Sequence, residues 1–414
     1  MIHFDRFTLD NGLRFIIHRD VTTPLVAMNI LYDVGARDEQ PDKTGFAHLF
    51  EHLMFGGSKH IPRYDEPLQR AGGDNNAFTN SDYTNYYLTL PAENLETAFW
   101  LESDRMLELA FSEKSLEVQR QVVVEEFRQN YLNQPYGDVW LLLKPLAYKV
   151  HPYHWNTIGK TPDHITNAKL EDVVNFYSNY YHPSNAIVAV AGNIEVEEAK
   201  KMAYKWFGSI PSGSRPKRDL PQEPIQTEKQ KLVVRRDVPA SALYKAWHIG
   251  ARNDPFFYAT DLVSDILGSG SSSRLHQQLV RRKKMFSEIN AYITGDLDPG
   301  LFIISGKLHP GVDPEHAENL LTKQVDELKN ELLRSTELRK VKNKVLSAIA
   351  FSNISVLNKA MNLCYYELIG NINLINSLEH SYRAVKENEI MEVSNQIFTE
   401  SNSSVLYYLS NKHN

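Results

Sequence analysis

The 414-residue chain contains a single cysteine, Cys364, so no intramolecular disulfide can brace it. That fits a reducing compartment, and within MNLCYYELIG the residue reads as a small buried hydrophobe. Basic residues are not in excess. Forty-five Lys and Arg against 51 Asp and Glu leave a formal net charge of −6, which lacks the basic footprint of a nucleic-acid binder. Long apolar runs are missing as well. Stretches such as Ala186 to Ala191 have the length of a strand and are far too short to cross a bilayer. The first residues, MIHFDRFTLDNG, have neither a basic n-region nor an apolar h-region, so no signal peptide is expected and a cytoplasmic protein is the simplest reading.

What is present is an ordinary globular composition, 42% hydrophobic and 23% charged, in a chain long enough for two cores. Segments rich in β-branched and aromatic residues predict strands over Leu13 to His18, Leu25 to Asp33, Tyr83 to Leu90 and Ala186 to Val190. Apolar residues at helical spacing predict helices over 92–109, 115–133, 169–179, 195–206, 315–334 and 336–351. The mixture points to an α+β protein with helices packed on mostly antiparallel sheets. Between Gly208 and Gln226 the prolines Pro211, Pro216, Pro221 and Pro224 block regular structure. The expected organisation is therefore a domain at 1–210, a linker at 211–227 and a second domain at 228–414.

The two parts read as distant copies. YDVGARDEQ in the first matches WHIGARNDP in the second, with Gly35 facing Gly250. Carrying that offset of 215 forward sets His48, Glu51 and His52 against Val263, Ile266 and Leu267. The second copy is thus expected to keep the helix and fill the corresponding positions with apolar residues.

The segment TGFAHLFEHLMFGG, 44 to 57, carries the chemistry. On a helix, His48 and His52 stand one turn apart and share a face, as two ligands of one ion must. Glu51 borders that face, within reach of a metal-bound water as general base. Two neutral imidazoles plus one carboxylate suit zinc and leave a fourth position open. Gly56 and Gly57 supply a stop for the helix. The third ligand must come from elsewhere, and SLEVQRQVVVEEFRQNYL offers Glu125 and Glu126. Adjacent helical residues point about 100° apart, so one of the two can reach the ion. Taken singly, paired histidines on a helix are ordinary surface residues. Here Phe46, Leu49, Phe50, Leu53 and Phe55 surround them, and burying two His and a Glu with no ion would leave them unsatisfied.

With these residues in hand, the sequence resembles the pitrilysin, or insulinase, family of zinc peptidases, whose HxxEH signature inverts the commoner HExxH order. AGGDNNAFTNSDYTNYYLTLP, QRQVVVEEF, HPYHWNTIGK, YYHPSNAIVAVAGNI and LGSGSSSRLHQQL resemble family segments in the family's order, so the likeness spans essentially the whole chain. It implies two homologous α/β-sandwich domains forming half of a clamshell around a chamber. It also implies one Zn2+ per chain on His48, His52 and Glu126, with Glu126 selected over Glu125 by the register of the family helix. Asn76 and Ala77 would lie on the edge strand that receives a peptide as an added strand.

Two departures from the family pattern bear on activity. A second glutamate often stands seven residues before the distant ligand, and here that residue is the uncharged Gln119. Self-sufficient members carry an arginine and a tyrosine, seven apart, after the SSRL-like segment; the matching positions are Val280 and Ser287. The resemblance therefore implies a peptidase acting on peptides or extended unfolded segments as the catalytic subunit of a heterodimer, with a homologous partner supplying the arginine–tyrosine pair. A homodimer is the less favoured arrangement. The competing reading is a non-catalytic structural or peptide-binding subunit of a larger assembly.

Overall fold

The computed structural model describes residues 1–214 and 216–411. It forms two compact units. Unit 1 comprises Met1–Gln129, Trp155–Leu220 and Ala350–Ser377; unit 2 comprises Asn130–His154, Pro221–Ile349 and the chain from Leu378 onward. The boundary between Leu220 and Pro221 falls inside the proline-rich segment, and the described residues of 211–227 form neither helix nor strand. That segment is held down nonetheless. In unit 1, Arg218 pairs with Asp33 at 2.7 Å and Asp38 at 2.6 Å. In unit 2, the Glu223 carboxylate accepts the backbone N–H groups of Lys149, Val150 and His151 at 2.7–2.9 Å.

Unit 1 is built on a six-stranded sheet of β1 (Asp5–Thr8), β2 (Arg14–Arg19), β3 (Leu25–Tyr32), β4 (Asp74–Thr79), β5 (Thr84–Pro91) and β6 (Ala186–Gly192), ordered β1-β2-β6-β3-β5-β4. Unit 2 is built on β7 (Gln230–Arg236), β8 (Ala242–His248), β9 (Phe286–Ile293), β10 (Leu301–Leu308) and β11 (Ser403–Ser410), ordered β7-β11-β8-β10-β9. Leaving out β1, the two orders coincide strand for strand. Each sheet has one parallel pair in the same place, β2 with β6 and β7 with β11, and every other pairing is antiparallel. The copies read from the GAR motif are copies in three dimensions.

The strands form where the sequence expects them. β6, AIVAVAG, is buried along its whole length, as a central strand covered on both faces must be. β4, DNNAFT, is polar and lies at the sheet's edge, paired with β5 alone. The helical stretches appear as Leu95–Leu107, Glu113–Phe127, Leu170–Tyr180, Val196–Phe207, Pro314–Asn330 and Ser335–Ser352.

The units differ from the linear division at Pro211 in one respect: each contains a helix from the other half of the chain. Val139–Ala147 packs on β7, β8 and β11 of unit 2, whereas Val356–Leu368 packs on β2, β3, β5 and β6 of unit 1. The exchanged helices begin 217 residues apart, close to the repeat offset, so equivalent elements have traded places. Cys364 belongs to the second of them. It is fully buried, with its Sγ against the carbonyl oxygens of Asn29 and Ile187, as a small core hydrophobe should be.

Candidate metal centre

The HLFEH motif lies on the helix Phe46–Leu53 of unit 1. Its apolar residues Phe46, Ala47, Leu49, Phe50 and Leu53 are buried, which turns His48, Glu51 and His52 together onto the other, partly open face. Behind it Phe50 stacks on Phe176, Tyr177 and Tyr181. After Leu53 the chain turns at Gly57, where φ is +104° and a Cβ would come within 2.7 Å of the Pro62 carbonyl oxygen.

The third element is the helix Glu113–Phe127, started by Ser112, whose hydroxyl accepts the Ser115 N–H. It lies beside the HLFEH helix and carries Glu126 to both imidazoles. One Glu126 carboxylate oxygen is 3.7 Å from His48 Nε2 and 3.5 Å from His52 Nε2, and the two Nε2 atoms are 3.4 Å apart. Glu125 turns away and engages Arg128 and Gln129. The register choice between the adjacent glutamates is therefore made by geometry. Among the described residues, no other group of three or more His, Cys, Asp or Glu side chains gathers in this way.

These distances can be tested against a metal. Tetrahedral ligands ~2.0–2.2 Å from one ion lie ~3.3–3.6 Å from one another, close to the three separations observed. Electron pairs of two imidazoles and a carboxylate converging at that spacing repel unless a cation or shared protons intervene. Burial pushes the His48 imidazole down to about 4, opposed by Glu126 and reinforced by His52. His48 is thus neutral at physiological pH, the form in which histidine binds metal. Burial raises the Glu51 carboxyl above its ordinary value, moderated by Thr79 of β4. A carboxyl moved that way is better suited to take up and return a proton.

Asn76 and Ala77 lie on edge strand β4, in register with Tyr87 and Tyr86 of β5, and the HLFEH helix packs against this strand. Gln119 is partly buried on the same helix as Glu126, two turns earlier. In unit 2, Val280 packs against the hydrophobic core, and Ser287 sits on β9 donating to the Lys307 carbonyl. Neither can present a charged or phenolic donor. A supporting residue that the spacing does not reveal is Tyr86, whose hydroxyl donates to the Phe50 carbonyl at 3.3 Å. Its strand and the helix lie 36 residues apart in the chain, so no local pattern announces the contact.

A helix with two histidines and a glutamate at HxxEH spacing, a distant glutamate from the helix Glu113–Phe127 and a mixed sheet beside them form the arrangement that the HxxEH resemblance leads one to expect. The family model described as Insulinase (Peptidase family M16) matches residues 14–154, and that described as Peptidase M16 inactive domain matches residues 167–345. The chain belongs to this insulinase, or pitrilysin, family of peptidases. His48, Glu51, His52 and Glu126 all lie within the first match, whereas the inactive-domain match begins after them. The zinc protease PqqE of Helicobacter pylori is 29% identical over 411 residues, covering 97% of this chain and 91% of that protein. An uncharacterized zinc protease of Bacillus subtilis, YmxG, is 26% identical and covers 95% and 96%. The crystal structure of a protease from Helicobacter pylori superposes with a TM-score of 0.92 at 28% identity, over 99% of this chain and all of that one.

Proposed function

We propose that this chain is a zinc-dependent endopeptidase acting on peptides or extended unfolded segments. The observation that carries the proposal is the convergence of His48, His52 and Glu126 at 3.4–3.7 Å with Glu51 beside them. These three side chains would hold one Zn2+ per chain. Bound zinc supplies Lewis-acid polarisation and makes a water molecule far more acidic. Glu51 takes the proton from the attacking water and returns it to the leaving amine. The free edge of β4 at Asn76 and Ala77 aligns the substrate backbone as an added strand, so main-chain hydrogen bonds supply affinity. Gln119, two turns before Glu126 on the same face of its helix, supplies no second carboxylate.

Val280 and Ser287 supply no oxyanion donors, and losing such donors costs about 3–4 kcal/mol of barrier. The proposal therefore includes a homologous partner subunit that contributes an arginine–tyrosine pair, making this chain the catalytic subunit of a heterodimer. The same two residues favour a second reading, in which the chain binds peptides or zinc within an assembly and does not cleave.

Metal content measured beside hydrolysis of a mixed peptide pool, for wild type and Glu51→Gln, separates the readings. Zinc near one per chain in both, with cleavage lost only in the variant, supports the peptidase. Zinc with no cleavage even beside a partner bearing the pair supports the binding subunit. Absence of zinc from both would overturn the metal site.

A further inference from the structure

The HLFEH helix is two turns long, too short to persist by its own hydrogen bonds, so whatever fixes its ends fixes its three polar side chains. Its first turn begins with amide groups that need acceptors. The N-cap residue is Gly45, which has no side chain to provide one. Nor could another residue serve there. Gly45 has φ of +89°, and a Cβ would sit 2.8 Å from the Ile158 carbonyl oxygen and 3.0 Å from Ile165 Cδ1. The cap comes from Glu39. One of its carboxyl oxygens accepts the Gly45 N–H and the other the Ala47 N–H, both at 2.9 Å. Glu39 is 6% exposed, and its reach of six and eight residues closes the 39–47 loop onto the helix. Thr44 anchors the same corner through His164 Nδ1 and the Lys160 N–H.

Unit 2 supplies an internal comparison. At the repeat offset Glu39 corresponds to Asp254, whose carboxylate accepts the Phe256 N–H at 2.7 Å, at the start of the helix Phe257–Gly268. The repeat keeps an acidic cap for this helix in both copies. Only the copy bearing the metal residues uses the longer glutamate in a two-amide grip.

We propose that Glu39 is the positioning residue of the metal site. Its carboxyl group sets the start and rotation of the HLFEH helix, and through it the convergence of His48, Glu51 and His52. The inference rests on the zinc reading above for its consequence, and on the capping geometry alone for its cause.

The test uses the full chain as wild type, Glu39→Ala, Glu39→Gln and Asn29→Ala. The last breaks the buried Asn29–Asn85 amide pair of the unit 1 sheet without touching the helix. Zinc affinity per folded molecule is measured by chelator competition, and hydrogen exchange of residues 45–53 is followed in the metal-free chains. Glu39→Ala is expected to weaken zinc binding about 10–100-fold, as loss of a supporting contact does, and to speed exchange selectively in 45–53. Glu39→Gln, which keeps one acceptor oxygen, should fall between. Asn29→Ala should lower the melting temperature with affinity unchanged. Wild-type affinity in Glu39→Ala, or an affinity loss that Asn29→Ala reproduces at equal melting temperature, overturns the assignment. Should wild type bind no zinc, the metal reading falls by itself. The exchange data then decide the positioning role: selective loss in 45–53 supports it, and unchanged or unit-wide exchange overturns it.

Discussion

The helix Phe46–Leu53 of unit 1 and the helix Phe257–Gly268 of unit 2 occupy the same place in two sheets of the same strand order, yet their exposed and buried faces are opposite in purpose. Where unit 1 has His48, Glu51 and His52 on a partly open face, unit 2 has Val263, Ile266 and Leu267, all at most 1% exposed in a hydrophobic core. One scaffold can thus carry either a polar constellation or more core. The difference lies in the side chains, in what covers them and in the helix start, because left-handed Gly45 corresponds to Thr260 inside the longer helix of unit 2.

Exchanging one pair of equivalent residues should break this comparison most severely. In His52→Leu the ligand set drops to two, so zinc and peptide cleavage are expected to be lost. Stability of the metal-free chain should move by no more than about 1 kcal/mol, because the site is partly open. In Leu267→His an imidazole enters a fully buried apolar site, and unit 2 should lose roughly 3–5 kcal/mol. Zinc analysis and metal-free denaturation curves check both. Equal destabilisation by the two changes would mean that the HLFEH face is core after all.

Most of this contrast is legible in the sequence, because it is written in local patterns. HxxEH spacing places its residues on one helical face, and the GAR motifs align the copies closely enough to assign Val263, Ile266 and Leu267 to the core. Strand-like runs such as AIVAVAG reveal β6 in the same way. What escapes is everything that depends on a partner remote in the chain. VWLLLKPLA, the helix Val139–Ala147, is apolar on several sides, so nothing in it says which sheet it will cover, and the exchange of helices stays hidden. The choice between Glu125 and Glu126 needs either a family register or the observed packing. Glu39 is invisible for a related reason: its job is created by a glycine six residues away that cannot cap its own helix.

A pair of buried glutamates sharpens the comparison through pH. Burial pushes Glu39 in unit 1 up to about 8, against the pull of the Ala47 and Gly45 amides. Burial also works to raise Glu318 in unit 2, but hydrogen bonds from Lys229, Lys245 and Tyr407 outweigh it and hold the carboxyl at about 2. The consequences have opposite sign. Glu39 keeps its proton in the folded chain where the unfolded chain has already released it. Unit 1 should therefore lose stability as pH rises from about 4.5 to 8, by on the order of 5 kcal/mol at most. Glu318 is ionised in the folded chain and contributes fully above about 4.5. Unit 2 should lose roughly 3 kcal/mol as pH falls from there to about 2. Hydrogen-exchange protection of residues 46–53 and of β8, corrected for intrinsic rates across pH 3–8, reads the two units separately. Parallel pH profiles would refute the assignment of opposite shifts.

The smallest expected effect tests how local the difference between the copies is. Glu125 and Glu126 are neighbours on one helix of unit 1, but Glu125 engages exposed Arg128 and Gln129 while Glu126 meets both imidazoles. Glu125→Ala removes a solvent-screened pair, so stability should shift by less than about 0.5 kcal/mol and zinc affinity should stay within a factor of two or so. Glu126→Ala removes a ligand and should reduce zinc binding by orders of magnitude. If Glu125→Ala weakened zinc comparably, the site would draw on the general negative potential of the helix. Its chemistry would then depend on the charge of a surface rather than on the aim of one side chain, and an apolar helix in unit 2 would no longer be enough to explain why that copy lacks a metal site.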